Sequence, residues 1–307
     1  LISVLKYYFH LLQTSMPALN YFHVDVFANK PYSGNGLAVF LHTENWSTGF
    51  MQILTQEMQQ FESIFLSQIQ TDNAYSATAR IFTVEEELPF AGHPMLGAAA
   101  VLHRTQASEK VECTWSIKVG EREVIVNSKN RVSHFLCQMN QGTPAIQAAL
   151  SHDSVIGILQ GMGLQENDLI QDLPPQVIST GLDYLILPIQ SSAIDKVHFC
   201  GTDLELELAK LNAKFVFIFD IENCEIRTWD NAGKVEDIAT GSAAGPAAAY
   251  LYTHGVVGTD QTIHIQQGRF RQRPSVLTVD MNPNGEILVS GSVWGVNAGY
   301  LEALPQL

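Results

Sequence analysis

Between Glu236 and Pro246 the chain reads Glu-Asp-Ile-Ala-Thr-Gly-Ser-Ala-Ala-Gly-Pro, and a small-residue run continues to Leu251. Two carboxylates, two hydroxyls and two glycines fall within eleven residues. Asp237 can carry charge or a proton, and Thr240 and Ser242 can each donate and accept hydrogen bonds. The alanine-rich run predicts a closely packed helix beginning near Ser242. The first N–H groups of such a helix lack intrahelical partners and suit an anion. A plain N-cap role for Thr240 or Ser242 is the simpler reading. Capping alone does not require Gly241, whose missing Cβ lets a ligand or another backbone approach closely.

Three further positions carry chemistry. Glu62 is a carboxylate inside the otherwise core-like run Phe61-Glu62-Ser63-Ile64-Phe65-Leu66. It is either a solvent-facing strand residue or a buried acid whose pKa is raised by desolvation, fit for proton transfer. Gly92-His93-Pro94 opens a second small-residue helix, with Pro94 in the first turn, where a missing N–H costs nothing. His93 there is either a structural or capping residue or a neutral imidazole that handles one proton. Asn35, between Gly34 and Gly36, reads as a hairpin or bulge residue, or as a side chain lent to a ligand.

Two of these sites are copies of one pattern. Placing Gly92 on Gly241, an offset of 149, puts Glu87 on Glu236, Ala98-Ala99-Ala100 on Ala247-Ala248-Ala249, and Leu102 on Leu251. His93 then matches Ser242, and Leu88 matches Asp237. The joint match predicts two similar halves, each with a glycine turn feeding a buried helix. A site between them would have two helix N-termini aimed at one ligand.

The elements that must position these residues are mostly strands. Alternation marks strands at Tyr21 to Phe27, Leu37 to Phe40, Phe61 to Leu66 and Tyr75 to Thr83. An antiparallel set follows between Lys110 and Asn140. Further strands fall at Gly181 to Pro188, Phe215 to Asp220, Cys224 to Trp229, Thr262 to Gln266, Ser275 to Asp280 and Ile287 to Trp294. Helical spacing marks Gly49 to Gln59, Met95 to His103, Ser151 to Gln160 and Leu204 to Leu211. The fold class is therefore α+β (mixed α/β), with more strand than helix. The expected division is a first half over 16–140, joined again by a returning segment at 295–307, and a second half over 141–294.

The 307 residues are 46% hydrophobic, enough for a two-part globular core. A net charge of −14 argues against nucleic-acid binding and leaves an anionic substrate to be held by local dipoles and a few cations. No membrane-length apolar stretch is present, so no membrane partner is expected. The four cysteines have no metal-ligand spacing, which predicts a reduced, cytoplasmic chain. No nucleotide loop is present either, so neither metal nor organic cofactor is expected. Residues 1–15, ahead of Met16, read as an extension.

The segments VDVFANKPYSGNGLAVF, FESIFL, RIFTVEEELPFAGHPMLGAAAVL, KVEDIATGSAAGPAAAYL and GRFRQRPSVLTV together resemble the phenazine-biosynthesis (PhzF-like) protein family, from about Tyr21 to Tyr300. The resemblance implies a diaminopimelate epimerase-like fold. Each half would be a curled sheet around a central helix, with the active site in the cleft between them. It implies a cofactor-independent isomerase, similar to the dihydro-hydroxyanthranilate isomerase of phenazine biosynthesis, and a homodimer. It carries the acid/base role onto Glu62, catalytic roles onto His93, Asp237 and Ser242, and backbone N–H contacts to the ligand onto Gly92 and Gly241; Thr240 and Asn35, read from the residues themselves, complete the expected substrate contacts. The chain departs from the family pattern at Gly36, where the family has Pro after the Asn, and at Gln272, where it has Gly before the Arg. The alternatives are an epimerase or racemase of a small acid, or a homologue that binds without catalysis. His93 and Ser242 stand where related epimerases carry their two cysteine bases, which disfavours a two-thiol mechanism.

Overall fold

A computed structural model describes residues 19–42, 46–72, 74–200 and 204–301. The extension expected at 1–15 and the last residues of the returning segment, 302–307, lie outside the described residues.

The first half opens with β1 (Leu19–Val26) and β2 (Asn35–Leu41), an antiparallel pair. Helix α1 (Thr48–Met58), capped by the Ser47 hydroxyl, crosses over to β3 (Glu62–Gln70), which lies parallel to β2. Next come β4 (Ser76–Phe82), the two-residue β5 (Glu87–Leu88) and helix α2 (Gly92–Gln106). Helix α2 is the crossover to β6 (Glu112–Val119), which is parallel to β4. Strands β7 (Arg122–Asn130) and β8 (Phe135–Gly142) continue as an antiparallel meander.

The second half contains β9 (Ala145–Ala149), the short helix α3 (Ile156–Gly161), β10 (Gln176–Ser179) and β11 (Asp183–Ile189). It continues through α4 (Glu205–Lys210), β12 (Phe215–Asp220) and β13 (Glu225–Thr228). Helix α5 (Gly241–Thr253) then crosses to β14 (Ile263–Gln267), parallel to β13, before β15 (Ser275–Met281) and β16 (Ile287–Leu301).

All these strands belong to one sheet, and β16 explains how. Its first part pairs with β15 on one side and β8 on the other, while Val293 to Leu301 pairs with β1. Strands β1, β2, β3, β4, β6, β7, β8 and β16 therefore close into a ring, and α2 runs inside it. Every residue of α2 from Gly92 to His103 is buried. A helix enclosed on all sides must be apolar all round and narrow, which is what Gly97 and Ala98 to Ala100 supply. A Cβ on Gly97 would come within 2.4 Å of the Leu37 side chain. In the other half α5 is buried in the same way against β10, β11, β15 and β16, with Ala247 to Ala249 fully covered. The α+β class and the pattern of a curled sheet around a central helix, expected from sequence, are both present.

Some local expectations fail. Strands β9 and β10 were not foreseen. The residues of β9 are mostly exposed on a sheet edge and carry no apolar alternation. The helix expected from Ser151 to Gln160 is a 3₁₀ turn, His152–Val155, followed by only six α-helical residues. The last strand runs to Leu301, well past Trp294, because β1 provides a partner that local pattern does not reveal.

Candidate active site

Both helices start on the glycines of the repeat: α2 at Gly92 and α5 at Gly241. The residue before each start leaves it uncapped by a side chain. Ala91 has nothing to cap with, and the Thr240 hydroxyl is turned elsewhere. The simpler reading of Thr240 as an N-cap is thus set aside. The two starts face one another closely. A Cβ on Gly92 would sit 3.6 Å from the Gly241 carbonyl carbon, and one on Gly241 would sit 3.6 Å from the His93 nitrogen and 3.2 Å from the Phe27 ring. Phe27 is fully buried with φ of 59°, and its ring also lies against Gly291, where a Cβ would be 2.3 Å away. In each half a bidentate pair holds the loop entering the helix: Arg80 with Glu87, and Arg227 with Glu236.

Glu62 begins β3, opposite Leu37 of β2, and is only 6% exposed. Its Oε2 lies 3.5 Å from His93 Nδ1 and makes no hydrogen bond. Burial and then the nearby Asp237 charge raise the Glu62 carboxyl from its ordinary 4.5 to about 8. The strand alternation puts Ile64 and Leu66 on the face of Glu62, in the core around α2, and Phe65 in a separate cluster on the other face. Phe61, at 37% exposed, does not cover the carboxylate. His93, at 5% exposed, has a buried and unpartnered Nε2. Burial lowers its pKa to about 3, so the imidazole is neutral at ordinary pH.

Asp237 is half-buried and densely hydrogen-bonded. Asn35 Nδ2 donates to its Oδ1 at 3.2 Å, the Thr240 hydroxyl to its Oδ2 at 2.5 Å, and the Ala239 N–H to Oδ1 at 3.4 Å. Burial pushes this carboxyl above the usual range while these donors pull it back. Asn35 also donates to the Ala239 carbonyl, 3.3 Å away, and its own Oδ1 is buried and unpartnered. Glu62, His93, Asp237, Ser242, Asn35, Gly92, Gly241 and Thr240 are therefore assembled in one place by contacts among them or across the meeting helix starts. The arrangement offers one titratable base near neutrality, one neutral imidazole, one hydrogen-bonded carboxylate, and two helix starts without side-chain caps that suit an anion.

Three residues here were not singled out from sequence. Tyr184 of β11 is 3% exposed and shares a 2.8 Å hydrogen bond with the Ser242 hydroxyl. Gln141 of β8 donates to the Gly241 carbonyl at 2.9 Å and accepts from Thr180 at 2.9 Å, tying the first half to the start of α5. Gln267, at the end of β14, bonds Thr240 and Asp237. A polar side chain at the end of an apolar strand was the available signal, and it is a common one. Both departures from the family pattern have a physical reading. Gly36 leaves room that the Gln60 side chain fills, since a Cβ there would meet Gln60 Oε1 at 2.5 Å. Gln272 adopts φ of 56°, the left-handed region that glycine occupies without strain. It sets up Arg273, which donates to Asp25 at 2.7 Å and to the Gly34 carbonyl at 2.7 Å.

Comparison with known proteins places the chain in a family. A family model described as phenazine biosynthesis-like protein (PhzC-PhzF) matches residues 24–294. An uncharacterized isomerase of Pasteurella multocida is 30% identical over 92% of this chain and 93% of its own length. The trans-2,3-dihydro-3-hydroxyanthranilate isomerase of Pseudomonas fluorescens is 30% identical over 90% of this chain and 95% of its own. A solved structure described as a predicted epimerase from Pseudomonas aeruginosa superposes with a TM-score of 0.85 at 42% identity, covering 92% of this chain and 99% of that one. With a match across nearly the whole ring, both central helices and the residues at their starts, the chain belongs to the phenazine biosynthesis-like (PhzC-PhzF) family.

Proposed function

We propose that this protein is an isomerase that moves a proton between two carbons of a small carboxylic acid, with Glu62 as the carrier. The supporting observation is a buried Glu62 with an unpartnered Oε2, 3.5 Å from a neutral His93, beside two uncapped helix starts in contact with each other. Three buried polar atoms around it, Glu62 Oε2, His93 Nε2 and Asn35 Oδ1, have no partner in the protein. Buried polar atoms are ordinarily satisfied, and a polar substrate would satisfy these.

The chemistry balances within the substrate. Ionised Glu62 takes a proton from one carbon, and the electron pair delocalises into the conjugated carboxylate. Neutral Glu62 then returns the proton to a second carbon. A group titrating near 8 serves both steps, because its two forms are close in energy at working pH. N–H groups of Gly92, His93, Gly241 and Ser242 hold the carboxylate where negative charge grows. His93 and Ser242 hydrogen-bond the substrate, and Asp237 keeps its charge next to Glu62. No step calls on a metal or organic cofactor.

The same reading makes the substrate anionic. A cytoplasmic setting is supported by four free cysteines in a chain of 307 residues, and a homodimer by exposed apolar side chains such as Val111, Val132 and Leu206. The test is proton NMR in D₂O with trans-2,3-dihydro-3-hydroxyanthranilate and other small unsaturated acids. Turnover should place deuterium at one carbon of the product. Exchange with no change of constitution would indicate an epimerase, and binding without exchange would refute catalysis.

A further inference from the structure

Gln267 makes three hydrogen bonds, and their directions can be read from chemistry alone. The Thr240 N–H can only donate, so the amide atom 2.8 Å from it is Oε1. The Asp237 backbone carbonyl can only accept, so the atom 3.0 Å from it is Nε2. Nε2 has a second proton, and it points at the Thr240 hydroxyl oxygen at 3.0 Å. That hydroxyl therefore receives a proton from Gln267 and has its own proton free for the one remaining neighbour, Asp237 Oδ2 at 2.5 Å. Asn35 covers Oδ1 from the other half. Gln267 is 2% exposed, so water does not compete for its amide.

We propose that Gln267 is a positioning residue that orients the Thr240 hydroxyl toward Asp237, so that Asp237 is held as the charged carboxylate of the site. This rests on the reading of Glu62 as the proton carrier, but concerns the charge state of Asp237 before substrate arrives. The ionisable groups around the pair are few. Glu62 faces His93 from α2 and Asp237 from the loop before α5. Asp237 faces Glu62 and, from β11, the Tyr184 phenol, whose pKa burial lifts above its usual range. His93 is neutral and Tyr184 is un-ionised over the working range. Of the two carboxyls, the nearby Asp237 charge raises Glu62 further, after burial, while the donors from Thr240, Ala239 and Asn35 hold Asp237 toward its charged form.

The experiment needs no substrate. The protein is labelled with ¹³C at the side-chain carboxyls of Glu and Asp, and the Glu62 and Asp237 signals, assigned by Glu62→Gln and Asp237→Asn, are followed against pH. In Gln267→Met the hydroxyl is free to rotate away. The Asp237 midpoint should then rise, because a hydrogen bond to the charged carboxylate is what pulls it down, while the Glu62 midpoint, set first by burial, should stay in place. Thr240→Val, which deletes the donor itself, should do the same. If Gln267→Met does not fold, Gln267→Asn, which withdraws the amide by one methylene, takes its place with the same expectation. A rise of the Asp237 midpoint alone, in both variants, supports the assignment. An unchanged Asp237 midpoint with Gln267 altered, or Asp237 and Glu62 midpoints moving together as in general loosening, overturns it. A failure of Glu62→Gln to lower turnover would refute the catalytic role of Glu62 and leave this outcome unaffected.

Discussion

Glu62→Gln tests the site most directly, because two independent quantities follow from it. The first is stability. An acid whose folded-state pKa is raised favours the folded state only while protonated. Its full contribution is present below the unfolded value of 4.5, declines as pH rises, and is lost above about 8. Each pH unit in that window costs about 1.4 kcal/mol. Between pH 5 and pH 8 the wild type should therefore lose about 3.5 kcal/mol relative to Glu62→Gln, which cannot ionise. Apart from Asp237, whose charge acts on Glu62, other groups titrate alike in both proteins and cancel in the difference. Urea unfolding of both at pH 5, 6, 7 and 8 measures it. The second quantity is turnover. The amide keeps the shape but cannot carry a proton, so kcat should fall by ~10²–10⁴. A stability difference that stays flat from pH 5 to 8 would show that Glu62 titrates as an ordinary surface carboxylate. The chemical reasoning would then lose its foundation, whatever the rate.

For the wild type, kcat/KM should rise about tenfold per pH unit below 8 and level off above it, since ionised Glu62 is the base. His93, neutral down to about 3, should add no inflection above pH 5. Gly291→Ala should destabilise by about 2 kcal/mol or more, because its Cβ would meet the Phe27 ring at 2.3 Å; a melting temperature within a degree of wild type would contradict that packing. Gly92→Ala would meet Gly241 at ordinary distances and only the flexible end of the Met139 side chain tightly, at 3.3 Å, so it should fold and weaken substrate binding, seen as a raised KM. Activity should survive dialysis against a chelator, and restoration by a metal ion would overturn the cofactor-free reading. Light scattering at micromolar concentration should give twice the 33.9 kDa chain mass.

Much of the site was legible because its signals are local. The glycine turns and alanine runs fix where α2 and α5 begin, since only small residues suit an enclosed helix. The offset of 149 therefore falls on the two observed starts. Glu62 stood out because a charge interrupts an apolar strand. Alternation assigns a side chain to a face, however, and says nothing of what covers that face. The burial of Glu62, and with it a pKa near 8 rather than 4.5, depends on α2 lying inside a ring that β16 closes by reaching β1. Asn35 and Asp237 are 202 residues apart, and Gln141 and Gly241 are 100 apart, so no local pattern could pair them. Hydrogen bonds at that separation form only once the two halves have folded. The sequence by itself determined which groups could do chemistry, and the tertiary structure decided which are dry, which are charged and which meet.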